Sequence, residues 1–165
     1  MTPRPPFLVS TADVEEKIAR YPNRDETFSR HRPIGVAAGL QRIGLHVERL
    51  PPGTRTSLPH AESDEEEFVF VLEGEVDAWI DGERHPMKKG DLAAFPAGTG
   101  IVHTFINDGP EEALLFVGGE RSKATNRIIY PLNPEREAEV GKDAWWHDAP
   151  ARPMGDAPAV PAARR

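Results

Sequence analysis

Cysteine is absent from all 165 residues, which excludes disulfides, thiolate nucleophiles and any cysteine-ligated metal. No apolar run approaches the ~18 residues that a membrane-spanning helix requires. The opening MTPRPPFLVSTADVEE also lacks the apolar stretch of a secretory signal. A cytoplasmic protein with no membrane partner is therefore expected. Basic residues are in deficit, with 20 Lys and Arg against 27 Asp and Glu, for a net charge of −7. A phosphate backbone needs a basic face, so no nucleic-acid partner is expected. The basic stretch through Arg20, Arg24, Arg30, His31 and Arg32 is broken by proline and acidic residues and reads as solvated surface. Long helices, internal repeats and an attached helix-turn-helix region are missing too, which argues against a duplicated architecture or a DNA-binding regulator.

What is present is a series of short strands. Ile43, Leu45 and Val47 alternate with Arg42, Gly44, His46 and Glu48, and Pro51-Pro52-Gly53 breaks the run. The apolar strand 67–72 follows, then a turn at Gly74, a strand from Val76 to Ile80, and an Asp81-Gly82 hairpin signal. Arg84 to Met87, Leu92 to Phe95, Ile101 to Ile106 and Ala113 to Val117 complete the set, separated by Gly, Pro and Asp turns. This spacing predicts an antiparallel sandwich or small barrel. Both faces of 67–72 are apolar, with Val69 and Val71 on one and Phe68, Phe70 and Leu72 on the other. An antiparallel strand normally wets one face, so the second is expected to be covered by another layer or by the partner in a homodimer.

The flanks differ in kind. Ser10 or Thr11 is placed to cap a short N-terminal helix over Asp13 to Arg20, stopped by Pro22. The reading is a single domain, 1–165, with a core at about 40–118, an N-terminal arm at 1–39 and a C-terminal extension at 119–148. The Ala/Pro-rich tail 149–165 is expected to be mobile. Trp145 and Trp146, at the end of the extension, read as anchors that pin it to the core.

The chemistry concentrates between Gly53 and Gly74. His60 and Glu62, two residues apart, share one side of an extended segment, and Glu67 shares a face with Val69 and Val71. His103 sits on a later strand with Phe105 and Asn107. Two imidazoles and one or more of Glu62, Glu66 and Glu67 suit a divalent first-row metal: Zn, Fe(II), Mn or Ni. The other reading of Glu65-Glu66-Glu67 is a solvated strand entrance, although three adjacent carboxylates repel one another and a cation relieves that. His46 is the remaining histidine placed where it can line a pocket.

These same residues carry a family resemblance. Gly53, His60-Ala61-Glu62, Glu67 and Gly74 resemble the first cupin motif, with one extra residue after the glycine and with Glu62 where the second histidine of His-x-His belongs. Gly90, Pro96, Gly98, His103 and Asn107 resemble the second, with two extra residues before the histidine. The run FPAGTGIVHTFIN, Ile129-Tyr130-Pro131 and Trp145-Trp146 are similar to features of one branch of single-domain bacterial cupins. The resemblance implies an all-β jelly-roll barrel, frequent homodimers, and a metal in the barrel mouth. Carried onto this chain, the metal set becomes His60, Glu62, Glu67 and His103. Glu62 then ligates, turns away to leave an open position, or weakens the site. The function implied is an enzyme acting on a small organic or sugar-like ligand in that mouth, with Glu62 or Glu66 as the acid–base group. Cupins also include ligand-sensing modules, and a structural dimer with a vestigial site is the third reading.

Overall fold

The computed structural model describes residues 4–121, 123–156 and 158. Twelve strands form in chain order: β1 (Lys17–Ile18), β2 (Arg30–Arg32), β3 (Ile43–Leu50), β4 (Thr54–Arg55), β5 (Ala61–Glu62), β6 (Glu67–Glu73), β7 (Glu75–Ile80), β8 (Glu83–Lys88), β9 (Leu92–Phe95), β10 (His103–Asn107), β11 (Ala113–Glu120) and β12 (Ile128–Ile129). They pair antiparallel in a six-stranded sheet, β1-β2-β3-β11-β6-β9, a four-stranded sheet, β4-β10-β7-β8, and the small pair β12-β5.

The expected closed barrel does not form: the two larger sheets face each other as separate ladders. The chain crosses between them at corners. β3 passes to β4 through Pro51-Pro52-Gly53, and β6 passes to β7 at Gly74, whose φ is +80°. A Cβ at Gly74 would lie 3.0 Å from the Ala113 Cα, so the corner needs glycine for conformation and for space. β8 carries Pro86, which cannot donate to a ladder and suits an edge strand.

The expected N-terminal helix is also absent. A 3₁₀ turn at Thr11–Asp13 is followed by β1, which pairs with β2. Eight residues between a cap and a proline are too few for a stable isolated helix, and edge pairing with burial of Val14 wins instead. A single helical turn, α1, occupies Ile34–Ala37. The longest helical run lies near the other end, where a 3₁₀ turn at Pro134–Arg136 leads into α2 (Glu137–Val140).

Between the sheets, Leu50, Val69, Val71, Val76, Phe105 and Leu115 form the main core. The face of β3 turned into it is not the aliphatic one. Leu50 is fully buried and Glu48 is 7% exposed, whereas Ile43 is 50% exposed. Trp145 and Trp146 both bury, the first against Phe28, Leu58 and Tyr130, the second against Ala61, Trp79 and Ile106. With β12 paired to β5, they clamp the C-terminal extension onto the segment that carries His60. In the tail from residue 149, Arg152 reaches Asp81 at 2.6 Å and Gly155 N donates to the Asp81 carbonyl. Positions 157 and 159–165 of that tail lie outside the described residues.

Candidate metal centre

His60 and His103 are brought together by backbone pairing. Each donates its N–H to the other's carbonyl, at 3.2 and 3.0 Å, which places their rings 4.9 Å apart. Glu67 enters from the first position of β6, and its Oε2 lies 3.1 Å from His103 Nε2 and 3.5 Å from His60 Nε2. One ligand atom from each of the three residues falls within 4.8 Å of the others. On the neighbouring strand, Gly119 stands opposite Glu67. A Cβ there would come within 2.7 Å of the Glu66 carbonyl and 3.2 Å of Glu67 Cγ, so glycine leaves the space the carboxylate uses.

The hydrogen bonds behind the rings decide what the set can hold. His60 Nδ1 lies 2.8 Å from the Leu58 carbonyl and His103 Nδ1 lies 3.1 Å from the Ile101 carbonyl. A carbonyl only accepts, so each Nδ1 carries the proton and each Nε2 presents a lone pair. Two lone pairs and a carboxylate oxygen then converge with no donor among them, and a cation or an added proton is required. Burial pushes the proton affinity of His60 down, but its contact with Glu67 and the charges of Glu67 and Glu62 outweigh this and raise its pKa. Burial likewise pushes Glu67 up, yet a proton added to His103 or His60 gives the carboxylate a donor and a neighbouring positive charge, which hold it well below the usual carboxylate range. His103, dominated by burial, is lowered. This arrangement fits a mononuclear divalent metal held by His60, Glu67 and His103.

Glu62 lies beside these three, outside the group whose ligand atoms fall within 4.8 Å of one another. Its Oε2 is buried without a hydrogen-bond partner, and burial, followed by the charge of Glu67, pushes the carboxyl up to about 7. It lines a small recess with Glu65, Phe95 and Thr99, next to Glu67 and His103. Glu66 lies elsewhere: it is exposed and lines an outer, mostly apolar groove with Ile43, Phe68 and Ala94. Glu67 borders that groove too, but only Glu67 also lines the cavity with His60 and His103. The acidic run has a cation that sequence proximity hid. Lys123 bonds Glu120 and the Asp64 carbonyl, each at 2.6 Å, and its backbone N–H donates to Glu65.

The three residues open onto a cavity of about 230 Å³ between the sheets, also lined by Tyr21, His46, Glu48, Thr56 and Ser57. His46 was legible as a pocket residue; Glu48 and Tyr21 were not. For Glu48 a signal existed, since it shares parity with His46 and Leu50 on β3. Tyr21 lies in a loop without periodicity, and nothing in the sequence marks it.

Residues 46–118 match the family model described as Cupin domain. The polyketide synthase CurC of Streptomyces cyaneus is 37% identical over 102 residues, covering 62% of this chain and 54% of that protein. The chain thus spans about half the length of this curated relative. A crystal structure described as a sugar phosphate isomerase from a cupin superfamily, from Silicibacter pomeroyi, is 33% identical with a TM-score of 0.69, covering 74% of this chain and 80% of that one. A putative sugar phosphate isomerase from Acidithiobacillus ferrooxidans superposes with a TM-score of 0.72 at 24% identity, covering 78% and 83%.

Proposed function

The chain belongs to the cupin superfamily, and from that premise we propose that it is a metal-dependent enzyme acting on a small, sugar-like carbonyl compound. The observation that carries the reading is the convergence of His60, Glu67 and His103 without a donor among them, at the wall of a cavity between the sheets. The Silicibacter pomeroyi relative, described as a sugar phosphate isomerase, supports the substrate class. When bound, a divalent ion supplies Lewis-acid polarisation of a carbonyl or hydroxyl oxygen. The chain's own residues do the rest. Leu58 and Ile101 fix the tautomers of His60 and His103, and Phe95 holds the His103 ring flat. Glu62 is the fourth donor in this reading, because its buried oxygen has no other partner.

A homodimer belongs to the same reading, supported by the apolar outer face of β6 and by Leu92, which is 60% exposed. Sedimentation of the purified protein tests it, and a monomer at all concentrations refutes it.

The central test is metal analysis of protein purified without added ions, followed by an isomerase assay on aldoses and ketoses with and without a chelator. We expect close to one divalent ion per chain, loss of that ion in Glu67→Ala with the fold intact, and chelator-sensitive turnover. Metal-free protein, or unchanged metal in Glu67→Ala, refutes the metal site. Metal-loaded protein without turnover supports the ligand-sensing reading instead.

A further inference from the structure

Glu48 is an expensive residue to keep where it stands. It is 7% exposed, and its one hydrogen bond is donated by the Ser29 hydroxyl. Ser29 is itself fully buried and locked by its backbone: Ala19 donates to its carbonyl at 2.9 Å and its N–H donates to Arg55 O at 3.2 Å. No lysine or arginine pairs with Glu48 among the described residues. A carboxyl buried this way costs stability that an aliphatic side chain would not, and the next inward position on the strand is indeed a leucine, Leu50. Packing therefore gives no reason for the carboxyl. Its position does, because Glu48 lines the same cavity as His60, Glu67 and His103. His46, two residues earlier, lines it as well, and its ring stacks on His31 at 5.0 Å.

The cavity is also short of positive charge. None of its lining residues is an arginine or a lysine. The nearby arginines are engaged elsewhere: Arg55 makes two bonds to Glu26 at 2.6 and 2.7 Å, Arg32 donates to the carbonyls of Thr11 and Val14, and Arg136 pairs with Glu139 while its guanidinium lies over the outer rings of Tyr21 and Tyr130. A phosphoryl group is held by such cations or by helix N-termini, and neither lines this space. With Glu62 and Glu67 ionised as donors to it, a divalent ion would be balanced, leaving no net charge to attract an anion. Burial pushes the Glu48 carboxyl up to about 7, which makes it a donor as well as an acceptor near neutrality. The volume of about 230 Å³ is below the ~300 Å³ at which drug-sized pockets begin, and suits a monosaccharide.

We propose that Glu48 binds the ligand directly, and that the ligand is an uncharged, hydroxylated carbonyl compound of monosaccharide size rather than its phosphate ester. The inference rests on the reading above in one respect, that the other end of the ligand lies at His60, Glu67 and His103.

The test is calorimetric titration of the metal-loaded full chain with D-fructose, D-glucose, D-mannose and D-xylose and with their terminal phosphate esters. Wild type, Glu48→Gln and Glu48→Leu are compared, with metal content measured in each. The expected result is saturable binding of at least one free sugar, with its ester weaker by about ten-fold or more. Binding should fall by about ten-fold or more in Glu48→Leu, as when a buried hydrogen-bonding partner is lost. Glu48→Gln, which keeps one donor and one acceptor, should fall less, and metal content should not change. Esters binding as tightly as free sugars, no free sugar binding, unchanged affinity in Glu48→Leu, or a parallel fall in metal content each overturns the proposal. Wild type without metal refutes the metal-site reading alone, and Glu48-dependent sugar binding by that protein would still uphold the role of Glu48.

Discussion

The rings of Phe95 and His103 lie face to face, with centroids 3.6 Å apart and planes within 8°. Phe95 is 6% exposed and belongs to the main core, so one side chain serves both packing and the orientation of a metal-binding imidazole. Phe95→Ala should cost ~3–5 kcal/mol and Phe95→Leu ~1–1.5 kcal/mol of stability. The more telling readout is metal affinity. In Phe95→Leu, which stays folded, loosening His103 should lower it by roughly ten-fold, the scale of losing a supporting contact to a metal ligand. Competition against a chelator dye measures this directly. Unchanged affinity would mean that the Ile101 carbonyl alone fixes the ring.

Glu62 presents a sharper choice. A buried carboxylate oxygen without a partner is destabilising unless a ligand meets it. Glu62→Gln should therefore leave metal-free protein as stable as wild type, or more stable by ~1–3 kcal/mol. The metal-loaded form should lose about ten-fold or more in metal affinity. Chemical denaturation with and without chelator separates the two effects. Equal affinity in both proteins would remove Glu62 from the donor set and leave three donors with an open position.

Glu48 makes stability depend on pH with a defined sign. Its carboxyl is pushed from 4.5 in the unfolded chain to about 7 in the folded protein, chiefly by burial. Between those values the native state holds a proton that the unfolded state has released, so stability falls as pH rises. The loss amounts to ~3 kcal/mol and is complete above the folded value. Glu48→Gln cannot lose a proton, so its difference from wild type should grow from near zero at pH 4 to ~3 kcal/mol in favour of the variant at pH 8. Urea unfolding of both chains across this range reads it. A pH-independent difference would mean that Glu48 titrates normally.

The site was more legible than the fold around it. His60, Glu67 and His103 stand at fixed spacing from turn glycines, and a backbone bridge between distant segments sets the two histidines side by side. The orientation of β3 was not legible, because both of its faces carry aliphatic residues and period-2 alternation cannot say which face points in. The aliphatic row Ile43, Leu45 and Val47 faces out, where α1 and β2 flank the strand, and the polar row with Leu50 faces the cavity. The capping residues before Asp13 signalled a helix, yet β1 gained more from the free edge of β2. Lys123 could not be seen beside Asp64 and Glu65 because the contact spans nearly the whole core.

Gly119 offers a way to disturb the centre without touching a donor. It faces Glu67 across the β6–β11 ladder, and a methyl group there would press on the Glu66 carbonyl at 2.7 Å and on Glu67 Cγ at 3.2 Å. Backbone and side chain of the same segment would both have to move. Because φ at this position is not in the left-handed region, Gly119→Ala carries no conformational strain of its own, and its cost is steric. An overpacked contact of this kind costs ~1–3 kcal/mol. The displacement falls on the one residue whose oxygen bridges both imidazoles, so metal affinity should drop by more than stability explains. Gly74→Ala, at the opposite end of β6, serves as the comparison: it is strained by a φ of +80° and crowded against Ala113, yet far along the strand from Glu67. If both variants lose stability while only Gly119→Ala loses metal affinity, the space opposite Glu67 is part of the site. Equal effects on metal would show that general weakening of the sheet, and not the position of Glu67, controls the centre.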